Sequence, residues 1–201
     1  MVLDEVGFDV RRGESIAIVG PSGMGKTTLL AILGGLIEPD SGRVGVQTRG
    51  RDGLQPPEPW VSWVLQTTNV LRDRSVLANV RLGCFADAAT WRKADGRARA
   101  ALERVALGAR ADEPLRLLSG GEAQRVVIAR AMASRRPFLL ADEPTGQLDS
   151  ATSRLVMDAL LAASQRRGLV LVTHDAELAQ RCDRVLRLTD GRLSDVATVR
   201  R

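Results

Sequence analysis

The chain has 201 residues and a net charge of +5, a length that suits one domain with a sizeable core. Its composition, 44% hydrophobic and 26% charged, is ordinary for a soluble globular protein. No apolar run approaches bilayer-spanning length and the N-terminus lacks a signal-peptide pattern, so a cytoplasmic chain is expected, any membrane role coming through a partner.

In chain order, Leu3 to Val10 alternates apolar and polar residues and reads as a half-exposed strand. Ser15 to Val19 is a short, nearly continuous apolar run, the pattern of a strand buried on both faces. A glycine-rich turn follows, and a helix begins over Lys26 to Leu33. Arg43 to Thr48 and Trp60 to Leu65 read as strands, separated by a loop over Arg49 to Pro59 that is broken by glycines and prolines. From Ser75 to Leu107 the pattern is helical, with Gly96 a soft spot. Ser119 followed by Glu122 forms a capping box that opens a helix through Ala133. Pro137 to Ala141 is a buried strand, Ser150 to Arg167 a helix and Leu169 to Thr173 a further buried strand. Arg184 to Leu188 and Arg192 to Val196, joined by Asp190-Gly191, form a hairpin. Strands alternating with helices define an α/β class with a parallel sheet.

Gly20-Pro21-Ser22-Gly23-Met24-Gly25-Lys26-Thr27 satisfies the P-loop pattern, with a strand before it and a helix after it. Glycines let backbone N–H groups turn inward around phosphate oxygens, and the helix N-terminus adds a favourable dipole. Lys26 supplies charge to the β- and γ-phosphates, the Thr27 hydroxyl can ligate Mg²⁺, and Thr28 continues the nucleotide-binding stretch. Only Lys26 and Lys93 are lysines among the 29 basic residues, so a lysine at this position is informative. Phe138 to Ala141 then runs into Asp142 and Glu143. Asp142 at the strand end suits Mg²⁺, and Glu143 beside it suits the polarisation of an attacking water. His174 is the only histidine; it follows the strand Leu169 to Thr173 at the carboxyl end, where open parallel sheets bind ligands. It could contact a γ-phosphate there or be purely structural.

Leu118-Ser119-Gly120-Gly121-Glu122-Ala123-Gln124-Arg125 resembles the signature motif of ABC ATPases almost letter for letter. Its physical logic is a second helix N-terminus with small residues ahead of it, a second anion cradle on one chain. The resemblance implies two subunits packed head to tail, each signature (Leu118, Ser119, Gly120, Gly121, Glu122, Gln124) closing over ATP held by the other's P-loop. It also implies that Gln66 is the Q-loop glutamine, a magnesium and water ligand facing a membrane partner. Pro144 to Asp149 corresponds to the D-loop, with Asp149 communicating across the dimer, and His174 to the switch histidine. The implied architecture is the P-loop NTPase ABC ATPase fold: a parallel-sheet core, an antiparallel β subdomain and a helical signature subdomain at about 67–133, inserted in a single domain spanning 1–201.

A finer resemblance lies in Ile32-Leu33-Gly34-Gly35-Leu36, in Asp142 to Asp149 and in Thr173 to Ala179, which look like the lipoprotein-release and macrolide-export branch. The function this implies is ATP hydrolysis powering a separate integral membrane permease, in export or envelope lipid, lipoprotein or peptide handling. The subunit would sit peripherally on the inner face of the cell membrane and pair with a second copy or a homologous subunit. Residues following Gln66 through Leu118 would form the coupling surface, with a docking groove at Asn69 to Val80. Two departures stand out. No aromatic residue precedes the first strand where the family stacks adenine: either residues are missing there or adenine is held differently, and weak discrimination between ATP and GTP is expected. Gln147 also stands where the branch has asparagine.

Three rival readings carry less. A pI near 10.4 raises nucleic acid as a partner. Scattered arginines interleaved with acids, no tyrosine, three tryptophans and three phenylalanines argue against it, and no nucleic acid is expected. A soluble ABC ATPase acting on DNA or ribosomes would carry long coiled coils or two ATPase domains. An ATPase that signals through its membrane partner to a cell-wall enzyme, moving no substrate, would use the same motor. Cys84 and Cys182 lack metal-ligand or redox spacing.

Overall fold

The computed structural model describes residues 2–65, 69–85 and 90–196. Its elements in chain order are β1 (Ser15–Val19), α1 (Lys26–Leu33), β2 (Val46–Gln47), β3 (Leu54–Gln55), β4 (Val61–Val64), α2 (Val76–Phe85), α3 (Trp91–Arg104), α4 (Gly120–Ala133), β5 (Phe138–Asp142), α5 (Ser150–Ser164), β6 (Gly168–Val172), α6 (Ala176–Ala179), β7 (Arg184–Thr189) and β8 (Arg192–Val196). Six strands form one sheet in the order β4-β5-β6-β1-β7-β8. The pairings from β4 through β7 are parallel, and β8 closes the edge as an antiparallel hairpin partner of β7. The hairpin turn places Asp190 at φ 51° and Gly191 at φ 76°, the two left-handed residues that a two-residue turn between twisted strands requires.

The central strands read as continuous apolar runs because both of their faces are covered. On one face Ile16 and Ile18 of β1, Leu140 of β5, and Val170 and Val172 of β6 pack with Leu29 and Leu30 of α1. On the other face Ala17, Leu139, Ala141, Leu169 and Leu171 join a larger core built with α2, α3, α4 and α5. Helices α2, α3 and α4 pack on one another, and α4 also leans on β4. The antiparallel part is small: β2 and β3 pair over Val46↔Gln55 and Gln47↔Leu54.

Several elements differ from the sequence reading. Residues 3–10 form no strand; the alternation is real, since Leu3, Val6, Phe8 and Val10 pack against the core, but Glu5 at φ 50° interrupts the extended chain. The glycine- and proline-broken loop holds β3 and a single 3₁₀ turn at Glu58–Trp60. The long helical stretch is two helices, and Gly96 lies inside α3 with open space around its Cα. Helix α5 stops at Ser164, whose hydroxyl donates to the Leu161 carbonyl at 2.7 Å. Arg167, expected in that helix, instead donates to the Ala131 and Ser134 carbonyls at the C-terminus of α4, each at 3.2 Å. A guanidinium there satisfies orphan carbonyls and complements the helix dipole.

The α2–α4 approach is tight. A Cβ at Gly83 would meet the Arg130 backbone oxygen at 2.0 Å. Backbone cannot swing aside as a side chain does, so Gly83→Ala is expected to destabilise the fold by about 1–3 kcal/mol in urea denaturation. Gly96→Ala, in open space on α3, is expected to stabilise it by about 0.5–1 kcal/mol. Equal effects at the two positions would contradict the close packing.

Candidate nucleotide site

The polar groups of the P-loop, of the paired carboxylates and of the histidine leave the sheet at one level. β1 pairs with β6 and β6 with β5, with Ile18 opposite Val172 and Val172 opposite Asp142. The P-loop follows β1, Asp142 ends β5 with Glu143 next, and His174 stands two residues beyond β6. Adjacent parallel strands therefore present all three at their carboxyl ends, where ligands of open α/β sheets bind.

Within the loop, Gly23 at φ 81° and Gly25 at φ 89° take conformations that side chains resist, which turns the backbone around the cradle. Pro21 and Ser22 are exposed, and Met24 is half-buried. Lys26 is buried, and its Nζ donates to the Gly20 and Pro21 carbonyls at 2.8 Å each. An ammonium has three donors, so one more remains for a phosphate oxygen. Thr27 is exposed at the first turn of α1, and its hydroxyl is hydrogen-bonded to Asp142, while Thr28 is half-buried. Burial pushes the Asp142 carboxyl above the usual carboxylate range; the Thr27 hydrogen bond opposes this, the Glu143 charge adds to it and the Lys26 charge opposes it.

Glu143 adopts φ 45°, a left-handed conformation unusual outside glycine that is found at functional positions. Its N–H donates to the Val172 carbonyl at 3.0 Å, which anchors the turn to β6. Its side chain is 15% exposed and lies 2.8 Å from His174 Nδ1, whose own side chain is 71% exposed. With Glu143 ionised, this contact requires the imidazole proton on Nδ1. Beyond Glu143 the chain turns through Gly146 and Leu148, whose N–H groups donate to the Glu143 and Thr145 carbonyls. A cavity of about 280 Å³ lies between this turn and His174. A larger hollow of about 550 Å³ between α3 and α5 carries none of these groups.

The signature sits at the start of α4. Ser119 Oγ accepts from the Glu122 N–H at 3.3 Å, while Glu122 Oε2 accepts from the Ser119 N–H at 2.9 Å, a complete capping box. Ser119 and Gly120 are exposed, Gly121 lies against the Gln147–Leu148 turn, and Leu118 packs onto the core. Gln124 does not share that exposure. It is 2% exposed and its Oε1 has no hydrogen-bond partner among the described residues, so it is buried where Ser119 and Gly120 are open to solvent. Asp149 caps α5, accepting from the Ala151 and Thr152 N–H groups at 3.0 Å, and the Thr152 bonds are the first reason its carboxyl lies below the usual range. Gln66 lies outside the described residues.

Arg110 was not legible as a site residue. It bonds Glu122 Oε1 at 2.9 Å from twelve residues away, a separation with no local periodicity to announce it. The docking groove also changes: Val76, Leu77 and Val80 are buried and Val70 packs onto the core, which leaves Leu71, 49% exposed, as the apolar residue at that surface. The Arg116 N–H donates to the Arg72 carbonyl, so the chain neighbours of Leu71 and of Leu117, the latter 60% exposed, are bonded to each other.

A parallel sheet flanked by helices, a lysine-bearing glycine loop and a strand-end carboxylate pair define a P-loop nucleoside triphosphatase. The ABC transporter family matches residues 3–146, and the chain belongs to that family as an ATP-binding subunit with ATPase activity. It is 41% identical over 98% of its length to YbbA of Escherichia coli, an uncharacterized ABC transporter ATP-binding protein, of which 90% is covered. It is 46% identical to the lipoprotein-releasing system ATP-binding protein LolD of Ruegeria pomeroyi, over 96% of this chain and 88% of that one. Among solved structures, the dimeric bacterial ABC transporter cassette MJ0796 superimposes with a TM-score of 0.85 at 33% identity, covering 100% of this chain and 91% of that one. A post-hydrolysis dimer of the same cassette, bound to ADP and Pi, gives 0.84 at 32% over the same shares. No helix among the described residues is long and apolar enough to cross a membrane.

The Asp142 environment has a consequence for stability. A carboxyl whose folded pKa exceeds its unfolded one makes the folded state bind more protons between the two values, so stability falls as pH rises through that window and stays lowered at neutral pH. Asp142→Asn is expected to raise the thermal midpoint of the nucleotide-free protein at pH 7 and flatten that pH dependence, while ATP hydrolysis falls. A lower midpoint at pH 7 would contradict the buried-charge account.

Proposed function

We propose that the chain is the motor subunit of a transporter, driving a separate integral membrane permease from the inner face of the cell membrane, in export or in handling of envelope lipids, lipoproteins or peptides. The observation that carries this reading is the presence of two half sites on one chain. One is the cradle of Gly20 to Thr28 with Asp142, Glu143 and His174; the other is the exposed Ser119–Gly120 start of α4, joined to the P-loop by no hydrogen bond or ion pair among the described residues. Two such chains packed head to tail complete each other's sites, and the likeness to cassettes solved as dimers supports that assembly. The LolD relatives, named for lipoprotein release, support the export branch.

In this mechanism P-loop N–H groups and Lys26 hold the phosphates of ATP. Thr27 and Asp142 suit Mg²⁺: a hydroxyl beside a carboxylate matches an ion that takes few protein oxygens and keeps waters and phosphate oxygens as its other ligands. Gln66 would complete the set. When bound, the ion neutralises charge on the β- and γ-phosphate oxygens. Glu143 accepts a proton from the attacking water as the new O–P bond forms and the bond from the γ-phosphorus to ADP breaks, which yields ADP and phosphate. His174 holds the Glu143 carboxylate in place. Closure is favoured because only the closed dimer contacts both nucleotides through Ser119 and Gly120, with Asp149 at the seam; loss of the γ-phosphate removes those contacts and reopens it. Leu71 and Leu117 form the apolar part of the permease-facing surface.

Glu143→Gln is expected to retain ATP binding, lose about a hundredfold or more in hydrolysis rate and form an ATP-dependent dimer on size-exclusion chromatography with light scattering. Hydrolysis at the unaltered rate would sink the assignment of Glu143. Leu71→Asp and Leu117→Asp are expected to abolish co-purification with the permease while the isolated subunit keeps its ATPase rate; retained co-purification of the double variant would remove this surface from the coupling site.

A further inference from the structure

We propose that Arg110 is a positioning residue of the signature, drawing the Glu122 charge away from the phosphate that Ser119 receives; the inference rests on the composite-site reading above. A cradle for an anion here carries a carboxylate inside its own cap. Glu122 Oε2 accepts from the Ser119 N–H and from Ser119 Oγ, both at 2.9 Å. A serine hydroxyl has one proton, so while Glu122 holds it, Oγ turns only lone pairs toward an incoming phosphate oxygen. A carboxylate beside that position repels the same oxygen.

Arg110 answers both problems. Its Nη1 donates to Glu122 Oε1 at 2.9 Å, and its Nε donates to Glu113 Oε1 at 2.6 Å, so a second carboxylate fixes the guanidinium's direction. A charge-assisted bond at one oxygen weakens the hold of the other on the Ser119 proton and offsets part of the Glu122 charge, the guanidinium being shared with Glu113. Protonation does not relieve the charge instead. The Glu122 carboxyl lies below the usual range, first through its bond from the Ser119 N–H and also through the Arg110 and Arg125 charges. Arg125 stands on the same helix, but its guanidinium donates to the Val105 carbonyl at 2.9 Å. Among the described residues Arg110 is the cation bonded to Glu122.

The test measures dimer dissociation at saturating ATP by light scattering, in the full chain carrying Glu143→Gln. Arg110→Ala is expected to weaken the dimer about fivefold, the scale of a single half-buried charge pair. Arg110→Lys retains most of the affinity. Adding Glu122→Gln to Arg110→Ala removes the charge that Arg110 answers, and the loss disappears. Arg110→Gln, of similar length and uncharged, repeats the series should alanine unfold the loop, and ATP affinity of the monomer checks that the P-loop is intact. An equal loss with and without Glu122→Gln would make Arg110 a purely structural brace through Glu113 and overturn the proposal, as would no loss at all. A parent that stays monomeric with ATP overturns the composite site, and this inference with it.

Discussion

The shared register of β1, β6 and β5 is the constraint on which the site depends. Parallel strands hydrogen-bonded over Ile18, Val172 and Asp142 end together, so the groups just past their ends meet with no further ordering of loops. That register holds because both faces of the strands are filled, by α1 on one side and by α2 to α5 on the other. A one-residue slip of β5 would exchange the faces of Leu139 and Leu140 and carry Asp142 away from Thr27. Packing in the sheet thus specifies the placement of the carboxylates.

That placement has an electrostatic cost. Asp142 is buried next to Glu143, and Lys26 is buried beside the loop carbonyls. Two neighbouring carboxylates and one ammonium, withdrawn from water, are a poor set of charges for a protein alone. They become a good set when a polyanion and a divalent cation join them, since each then has an opposite charge close by. Glu143 adds backbone strain of about 1–3 kcal/mol, typical of a non-glycine residue in the left-handed region, held by its bond to Val172 and its contact with His174.

Most of the fold was legible in the sequence, for local reasons. Ser15 to Val19 and Leu169 to Thr173 have the nearly continuous apolar pattern of doubly covered strands, and Ser119 with Glu122 has the spacing that one helical turn needs for a reciprocal cap. What escaped depends on partners far along the chain. The alternation of residues 3–10 does signal burial, but no spacing rule reveals that Glu5 turns the chain before a ladder can form. The apolar residues at 76–80 look as suited to an exposed groove as to a core, and only the neighbouring helices decide for the core. Gln124 lies within a motif whose Ser119 is open to solvent, yet the helical rotation from Ser119 carries it inward. Arg110 and Arg167 work on partners 12 and 33–36 residues distant, and an arginine-rich chain offers no way to pick them out by type.

Helix α4 is fastened at both ends. Its N-terminus is closed by the Ser119–Glu122 box; at its other end Arg167 donates to the Ala131 carbonyl, and Arg130 in the last turn donates to the Asn69 carbonyl at 2.7 Å. At 14 residues it is a rod of about 20 Å that runs from the signature to the foot of β5, the strand that ends in Asp142. A rod so pinned has little slack. In the proposed head-to-tail dimer, pressure on Ser119 would be carried along this helix to its C-terminal turn, a few residues before β5.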